Sequence, residues 1–335
     1  MQDDQGPVRA PEFPPNVQWL QGGPLRMAEL KGKVVLIDFW DYTCINCIHT
    51  LPYLKEWHQR YASVGLQIVG VHAPEFSFAR ESGNVIRAVR EHAITYPVVL
   101  DNDYAIWQAW ANRYWPAKYL VDGNGYLRYV HFGEGAYDQT EAAIRELLRE
   151  SFPQLLLPAA VEPMREEDKP GAVCYRVSPE LYLGYARGNF GNVKDLTPDK
   201  PATYRDPGMH TDGFAYLDGD WLLAQEYAAR PAGAGGVSRL TIAYMAKEVN
   251  LVVHPPTYGG AATISVSQDG APIPSEDAAA DVTAGAAVST MTVDVPRMYR
   301  IVNNREIGRH ELTLETSSDG VAMYAFTFTS CVIPD

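Results

Sequence analysis

The chain has 335 residues, 46% of them apolar and 11% aromatic, the composition of a packed protein and not of a disordered one. That length predicts two domains rather than one core. A formal charge of −13, dispersed along the chain, excludes nucleic acid and anionic membrane surfaces as partners, because both would be repelled over most of the surface.

No apolar stretch approaches the roughly 20 residues of a spanning helix. Met1-Gln2-Asp3-Asp4 has neither the basic region nor the apolar core of an export signal, so the chain is expected to be soluble, either with no export signal or beginning after one. Residues 1 to about 24 carry Pro7, Pro11, Pro14, Pro15, Gly22, Gly23 and Pro24, and are expected to form an extended lead-in that packs by its aromatic residues. Regular structure is predicted to start near Lys33.

From there to about Ser151, strand and helix patterns alternate. Strands are predicted over 34–39, 66–71, 96–100, 118–121 and 126–131, and helices over 47–63, 78–92, 104–110 and 138–150. The turn Asp122-Gly123-Asn124-Gly125 joins the last two strands as a hairpin. This order predicts an α/β layered domain with a mixed sheet over 1–152. Phe152-Pro153 ends the last helix, and 153–172 reads as a charged linker containing Pro158, Pro163 and Pro170. Over 173–335 the pattern turns to short β-branched segments, among them 239–244, 249–254, 263–268, 311–316 and a last one at 321–332, separated by turns such as Asp269-Gly270 and Asp319-Gly320. An all-β domain is expected there, a sandwich of the jelly-roll kind.

Four cysteines are too few for a disulfide scaffold, and no second Cys-x-x-Cys completes a four-thiolate zinc site. No cofactor or metal is expected. The informative pair is Cys44-Ile45-Asn46-Cys47, directly after the apolar run 34–40. Cys44 is expected at or before a helix N-terminus, where unpaired amides and the helix dipole favour a thiolate, with Cys47 one turn on and more buried. Such a pair attacks a substrate disulfide with the first thiol and resolves the mixed disulfide with the second. Two core cysteines, or half of a copper or zinc site, are the other readings of the pair alone.

The segment VVLIDFWDYTCINC, residues 34–47, resembles the strand and active-site turn of the thioredoxin superfamily. The resemblance implies that Asp38, six residues before Cys44, is the buried acid that acts through water on the resolving cysteine. It further implies that Phe39 and Trp40 shield the site, that Pro52 kinks the active-site helix, and that Pro116, after Trp115, is a cis-proline that packs against the thiols and helps hold extended substrate. Trp40, Trp115 and Glu75 are candidate substrate contacts, and Trp107, Trp110 and Tyr114 a surrounding apolar apron.

Ile-Asn between the cysteines departs from general thioredoxin, and His72-Ala73-Pro74-Glu75-Phe76 resembles the TlpA-like and peroxiredoxin-like branch, although no Thr-x-x-Cys is present. With the β domain, these segments resemble the soluble C-terminal portion of DipZ-type proteins, in which a TlpA-like domain is joined to a module resembling carbohydrate-binding domains. The implied function is an extracytoplasmic thiol–disulfide oxidoreductase acting on protein disulfides, a reductant fed by a membrane electron donor of the CcdA/DipZ type. A Cu(I)-handling thiol protein, with His72 as a further ligand, an envelope or carbohydrate-binding module with an accessory redox domain, and a peroxidase are the alternatives.

Three further expectations remain. His49 and His72 titrate near neutrality but have no partner visible in sequence. Cys174 and Cys331, in the first and last segments of the β domain, are candidates for a disulfide. Closing that loop would stabilise by roughly 4 to 5 kcal/mol on the chain-entropy model, and two buried free thiols are the other reading. Tyr182, Tyr185, Tyr204, Tyr216, Trp221 and Tyr227 are of the types that stack on sugars, and equally of those that fill a β core.

Overall fold

The computed structural model describes residues 6–332; residues 1–5, which include the positions read for an export signal, and 333–335 lie outside the described residues. The chain divides into two compact units, Met1–Lys169 and Pro170–Asp335.

The first unit is a six-stranded mixed sheet flanked by helices. Its strands are β1 (Gln18–Gln21), β2 (Val34–Trp40), β3 (Leu66–His72), β4 (Val98–Leu100), β5 (Ala117–Val121) and β6 (Leu127–Phe132), in the order β1-β4-β3-β2-β5-β6. Its helices are α1 (Ile45–Tyr61), α2 (Ser82–Glu91), α3 (Ala105–Ala109) and α4 (Tyr137–Ser151). β2 pairs parallel with β3 and antiparallel with β5, and all seven of its residues are buried. A strand covered on both faces reads as a continuous apolar run, which is what 34–40 is apart from Asp38.

Two stretches differ from the sequence expectation. The lead-in supplies an edge strand, because β1 pairs antiparallel with β4, and Phe13 and Trp19 meet edge to face at 5.2 Å against the core under Val35 and Ile37. A four-residue strand with one bulge has too little periodicity to be seen in sequence, and its partner lies far along the chain. The expected linker belongs, as far as Lys169, to the first unit. Val161 N–H donates to Glu141 at 2.9 Å, Met164 N–H to the Tyr53 hydroxyl at 2.8 Å, and Arg145 to the Pro158 carbonyl at 2.6 Å. Backbone donors that find buried side-chain acceptors tie this Pro-containing stretch to α1 and α4.

The second unit is all β. Its described strands form an eleven-stranded sheet and a two-stranded ribbon. Segments expected as separate strands run on as two long ones, Ser238–His254 and Arg297–Thr316, paired antiparallel, with register shifts after Ala246 and Val249. The near half of Ser238–His254 also pairs with Ala215–Leu223, and the far half with Ala322–Thr329. Ala228–Ala229 bridges these last two, so the ladder closes on itself. Trp221, Tyr244, Tyr299 and Phe326 fill the interior. There Tyr244, Gln268 and Asn304 bond one another in a ring at 2.5, 2.9 and 3.1 Å, which satisfies polar groups that would be costly alone. Trp221 and Tyr216 are buried in this unit, so their role is packing and not stacking on a sugar.

Cys174 and Cys331 face each other across the ribbon and are joined by a disulfide that closes a loop of 157 residues. Cys174→Ser/Cys331→Ser is expected to lose about 2–5 kcal/mol of unfolding free energy in urea titrations. Dithiothreitol should destabilise the wild type by a similar amount and leave the variant unchanged; equal sensitivity of both would show that the bridge contributes nothing.

Candidate active site

The thiol turn is built by local hydrogen bonds that end β2 and start α1. The buried Asp41 carboxylate accepts from Thr43 N–H at 2.6 Å and Thr43 Oγ1 at 2.7 Å, and the Asp41 carbonyl accepts from Cys44 N–H at 3.2 Å. This Asx-type turn brings Cys44 to the N-cap of α1 with extended backbone (φ −86°, ψ 115°). The Cys44 sulfur accepts the Cys47 N–H at 3.3 Å, one of the donors that a helix start leaves without an intrahelical partner. Cys44 is half-buried and Cys47 fully buried, and both are free thiols. Cys47 lies on the inward face of α1 with Leu51, Leu54 and Trp57. Pro52 sits inside that helix, where its ring removes one backbone donor.

Beneath Cys47 lies Asp38, 1% exposed, at the middle of the sheet. Its direct neighbours are Gly70 on β3 and Lys118 on β5. A Cβ at Gly70 would come within 3.1 Å of both Trp40 and Tyr96, so glycine lets the two rings close over this position without giving way. Burial pushes Asp38 up to about 7, and the Lys118 ammonium opposes the shift. Cys47 is held well above the ordinary thiol range, first by burial, then by the Cys44 sulfur and more weakly by Asp38, while the Asp41 backbone N–H bonded to its sulfur works the other way. The buried Tyr96 phenol is raised by burial and by the charges of Asp38 and Cys47. Thiol, carboxyl and ammonium thus share one desolvated pocket in which a proton on one alters the others.

Two loops complete the site. The Trp115–Pro116 peptide is cis and leads into β5, whose first residue, Ala117, is paired with Phe39. Trp115 is half-buried, lies 4.3 Å from Trp107 between ring centres, and donates its indole N–H to the Ala73 carbonyl at 3.0 Å. Glu75, also half-buried, donates its backbone N–H to Asp41 Oδ2 at 2.6 Å, and Ala73 N–H donates to the Trp40 carbonyl at 3.1 Å. The thiol turn, the 73–76 loop and the cis-proline segment are therefore fastened to one another by hydrogen bonds with a backbone group on at least one side.

Trp40 corrects an expectation. It is fully buried, edge-on to His72, and offers no surface to a substrate, because β2 is covered on both faces. Of the apron, Trp110 is core, Trp107 is half-buried and Tyr114 is exposed against Phe132. His72 stacks on Tyr42 and lies 4.0 Å from Asp41; burial lowers it to about 3, so it is neutral at physiological pH. No cluster of three or more metal-ligating side chains occurs among the described residues. The partner of His49, invisible in sequence, is Glu134, at 3.0 Å and 85 residues away. Asp41, Gly70, Lys118 and Tyr96 carry no motif. The signals that pointed to them were weak: Asp41 adjoins the thiol turn, and Lys118 is a lone charge in an apolar strand.

Residues 8–130 match the AhpC/TSA family and residues 178–329 the thioredoxin-like C-terminal domain family. The chain is similar to protein DipZ of Mycobacterium tuberculosis (strain CDC 1551 / Oshkosh), 35% identical over 324 residues, which is 95% of this chain and 42% of DipZ. It thus spans well under half the length of that relative. It is also similar to thiol-disulfide oxidoreductase YkuV of Bacillus subtilis (strain 168), 31% identical over 141 residues, covering 42% of this chain and 95% of YkuV. Among solved structures, a thioredoxin-like protein in its oxidised form is 31% identical with a TM-score of 0.40, covering 43% of this chain and 97% of that one.

Exposure and proton affinity together predict that iodoacetamide at pH 7 alkylates Cys44 of the reduced protein and spares Cys47, as read by peptide mass spectrometry; equal labelling would contradict this geometry. Asp41→Ala leaves three donors without their acceptor in a buried turn and is expected to cost about 2–4 kcal/mol of stability in urea titrations, against under 1 kcal/mol for a surface aspartate.

Proposed function

Since the chain belongs to the thioredoxin superfamily of thiol–disulfide oxidoreductases, we propose that Cys44 and Cys47 are its redox pair and that it works as an extracytoplasmic reductant of protein disulfides. One observation carries the reading: a half-exposed thiol caps a helix over a buried second thiol, with a buried carboxyl behind it.

The Cys44 thiolate attacks one sulfur of a substrate disulfide, forming a mixed disulfide and releasing the other sulfur as a thiolate. Cys47 then gives its proton to Asp38 and attacks Cys44. The substrate leaves as a dithiol once protonated, and the protein is left with a Cys44–Cys47 disulfide. Desolvation keeps Cys47 protonated until that step, which protects the reduced pair from premature attack on other disulfides. Pro116 and Trp115 border the path of an extended substrate segment, and Glu75, fixed through its backbone to Asp41, lies in the loop beside them.

A membrane donor of the CcdA/DipZ type restores the dithiol; the similarity to DipZ and the TlpA-like segments support it. No described helix is long and apolar enough to cross a membrane. The β unit holds the redox unit near the envelope, through a protein or carbohydrate surface.

Equilibration with glutathione or dithiothreitol redox buffers tests the reading, with Cys174→Ser/Cys331→Ser as background. A potential near that of thioredoxin, about −270 mV, is expected, and one near about −120 mV would make the protein an oxidant. Cys47→Ser should trap a mixed disulfide with substrate through Cys44. Failure of the pair to cycle at all would overturn the proposal.

A further inference from the structure

The disulfide of the second unit lies at its surface and outside its core. Cys174 is exposed and Cys331 half-buried, and neither belongs to the buried cluster of that unit. Val173–Cys174 and Cys331–Val332 pair only with each other, apart from the eleven-stranded sheet, so the other edge of Val173–Cys174 meets no strand among the described residues. From Ser178 inward the chain is fastened to the sheet, since Ser178 N–H donates to the Met245 carbonyl at 2.9 Å and its hydroxyl to Asp212 at 2.5 Å. Loop-closure entropy acts on the unfolded chain. In the folded unit the sheet keeps its shape without the bridge, and what resists reduction is how closely the ribbon alone holds two thiols together. A ribbon of two residue pairs is marginal in water, and exposed bridges are the labile class. The neighbours of Cys174, Val173 and Tyr175, are 41% and 45% exposed, so an apolar flank stands on either side of the accessible sulfur. An extended strand with an open edge and apolar flanks is the form of substrate whose path Trp115 and Pro116 border in the redox unit.

We propose that Cys174–Cys331 is a second redox couple of this chain, and that its reductant is the Cys44–Cys47 dithiol of another copy. The proposal rests on the reading of Cys44 and Cys47 as the redox pair. The Cys44 thiolate attacks the Cys174 sulfur, the Cys174–Cys331 bond breaks, and Cys331 leaves as a thiolate that takes a proton from water. Cys47 then loses its proton and attacks Cys44, which breaks the mixed disulfide, and Cys174 leaves as a thiolate and is protonated in turn. Two electrons pass: Cys44 and Cys47 are oxidised to a disulfide, and the Cys174–Cys331 bridge is reduced to two thiols. Reduction releases the ribbon, while the Ser330 hydroxyl bond to the Tyr175 carbonyl, 2.6 Å, keeps the two ends near each other for the return step. The reverse steps give the electron pair back to an oxidised copy, so the β unit is a reversible store beside the redox unit.

The test divides the two couples between two full-length chains. The donor is Cys174→Ser/Cys331→Ser, reduced beforehand, and the acceptor is Cys44→Ser/Cys47→Ser, labelled with nitrogen-15 and carrying only the bridge. They are mixed in equal amounts without other thiols, and alkylated peptides are weighed until the ratio is constant. About a quarter or more of the acceptor bridges should open, with equal oxidation of the donor; this is the yield of an equilibrium constant of about 0.1, one tenfold step or about 30 mV below parity. A smaller yield overturns the proposal. Cys47→Ser added to the donor should trap a covalent pair of chains linked from Cys44 to Cys174, and no trapped pair overturns it as well. If the donor does not fold, the wild type is titrated in dithiothreitol redox buffers. Its two bridges should then open at ratios of reduced to oxidised dithiothreitol within about tenfold of each other, and a wider gap overturns the proposal. A donor that fails to reduce insulin would sink the redox-pair reading instead, whereas one that reduces insulin and spares the bridge defeats this proposal alone.

Discussion

A carboxyl group in the middle of a strand buried on both faces is the constraint around which the first unit is arranged. β2 needs an apolar environment to be stable as a central strand, and Asp38 needs water or a counter-charge to ionise there. The fold holds both demands together by giving Asp38 a glycine on one side and a lysine on the other. Gly70 admits the rings of Trp40 and Tyr96, which seal the pocket, and Lys118 limits the electrostatic cost of sealing it. The same burial that raises Asp38 also raises Cys47, so one cause acts on both groups.

Above this pocket the site is a junction of three chain segments. Asp41 is at its centre, because its carboxylate closes the turn that presents Cys44 and also holds the backbone of Glu75. Trp115 reaches the same 73–76 loop from the cis-proline side. These are hydrogen bonds to backbone donors and acceptors, so they fix where the chain goes without dictating which side chains project from it.

The second unit answers a different physical problem, a β core large enough to stand by itself. Its two long strands shift register after Ala246 and Val249, and the Ala228–Ala229 bridge removes edges that would otherwise be open to pairing. The buried polar ring of Tyr244, Gln268 and Asn304 sets one arrangement of this core apart from other packings, since only that arrangement satisfies all three side chains.

How much of this was legible in the amino-acid order follows from the range of the interactions. The strand, turn and helix over 34–61 were legible, as were the two thiols one turn apart and a proline before β5, because alternation, helical period and Cys-x-x-Cys spacing are properties of neighbours in sequence. The change from an α/β pattern to an all-β pattern was legible for the same reason. Other features are contacts between residues far apart in the chain: β1 on β4, the return of 153–169 onto α1 and α4, and the pairing of His49 with Glu134. So is the place of Lys118 opposite Asp38, and a lysine in a strand looks alike in sequence whether it faces water or a buried carboxylate. Trp40 shows the same limit, since its distance from the thiols in sequence is short but the cover over both faces of β2 leaves it no exposed surface. The sequence by itself determined which two thiols stand one turn apart at a helix start, with a carboxyl in the strand before them. The tertiary structure alone decided which of them are deprived of water and which charges they meet there, because desolvation and Coulomb energy depend on position in space and not on position in the chain.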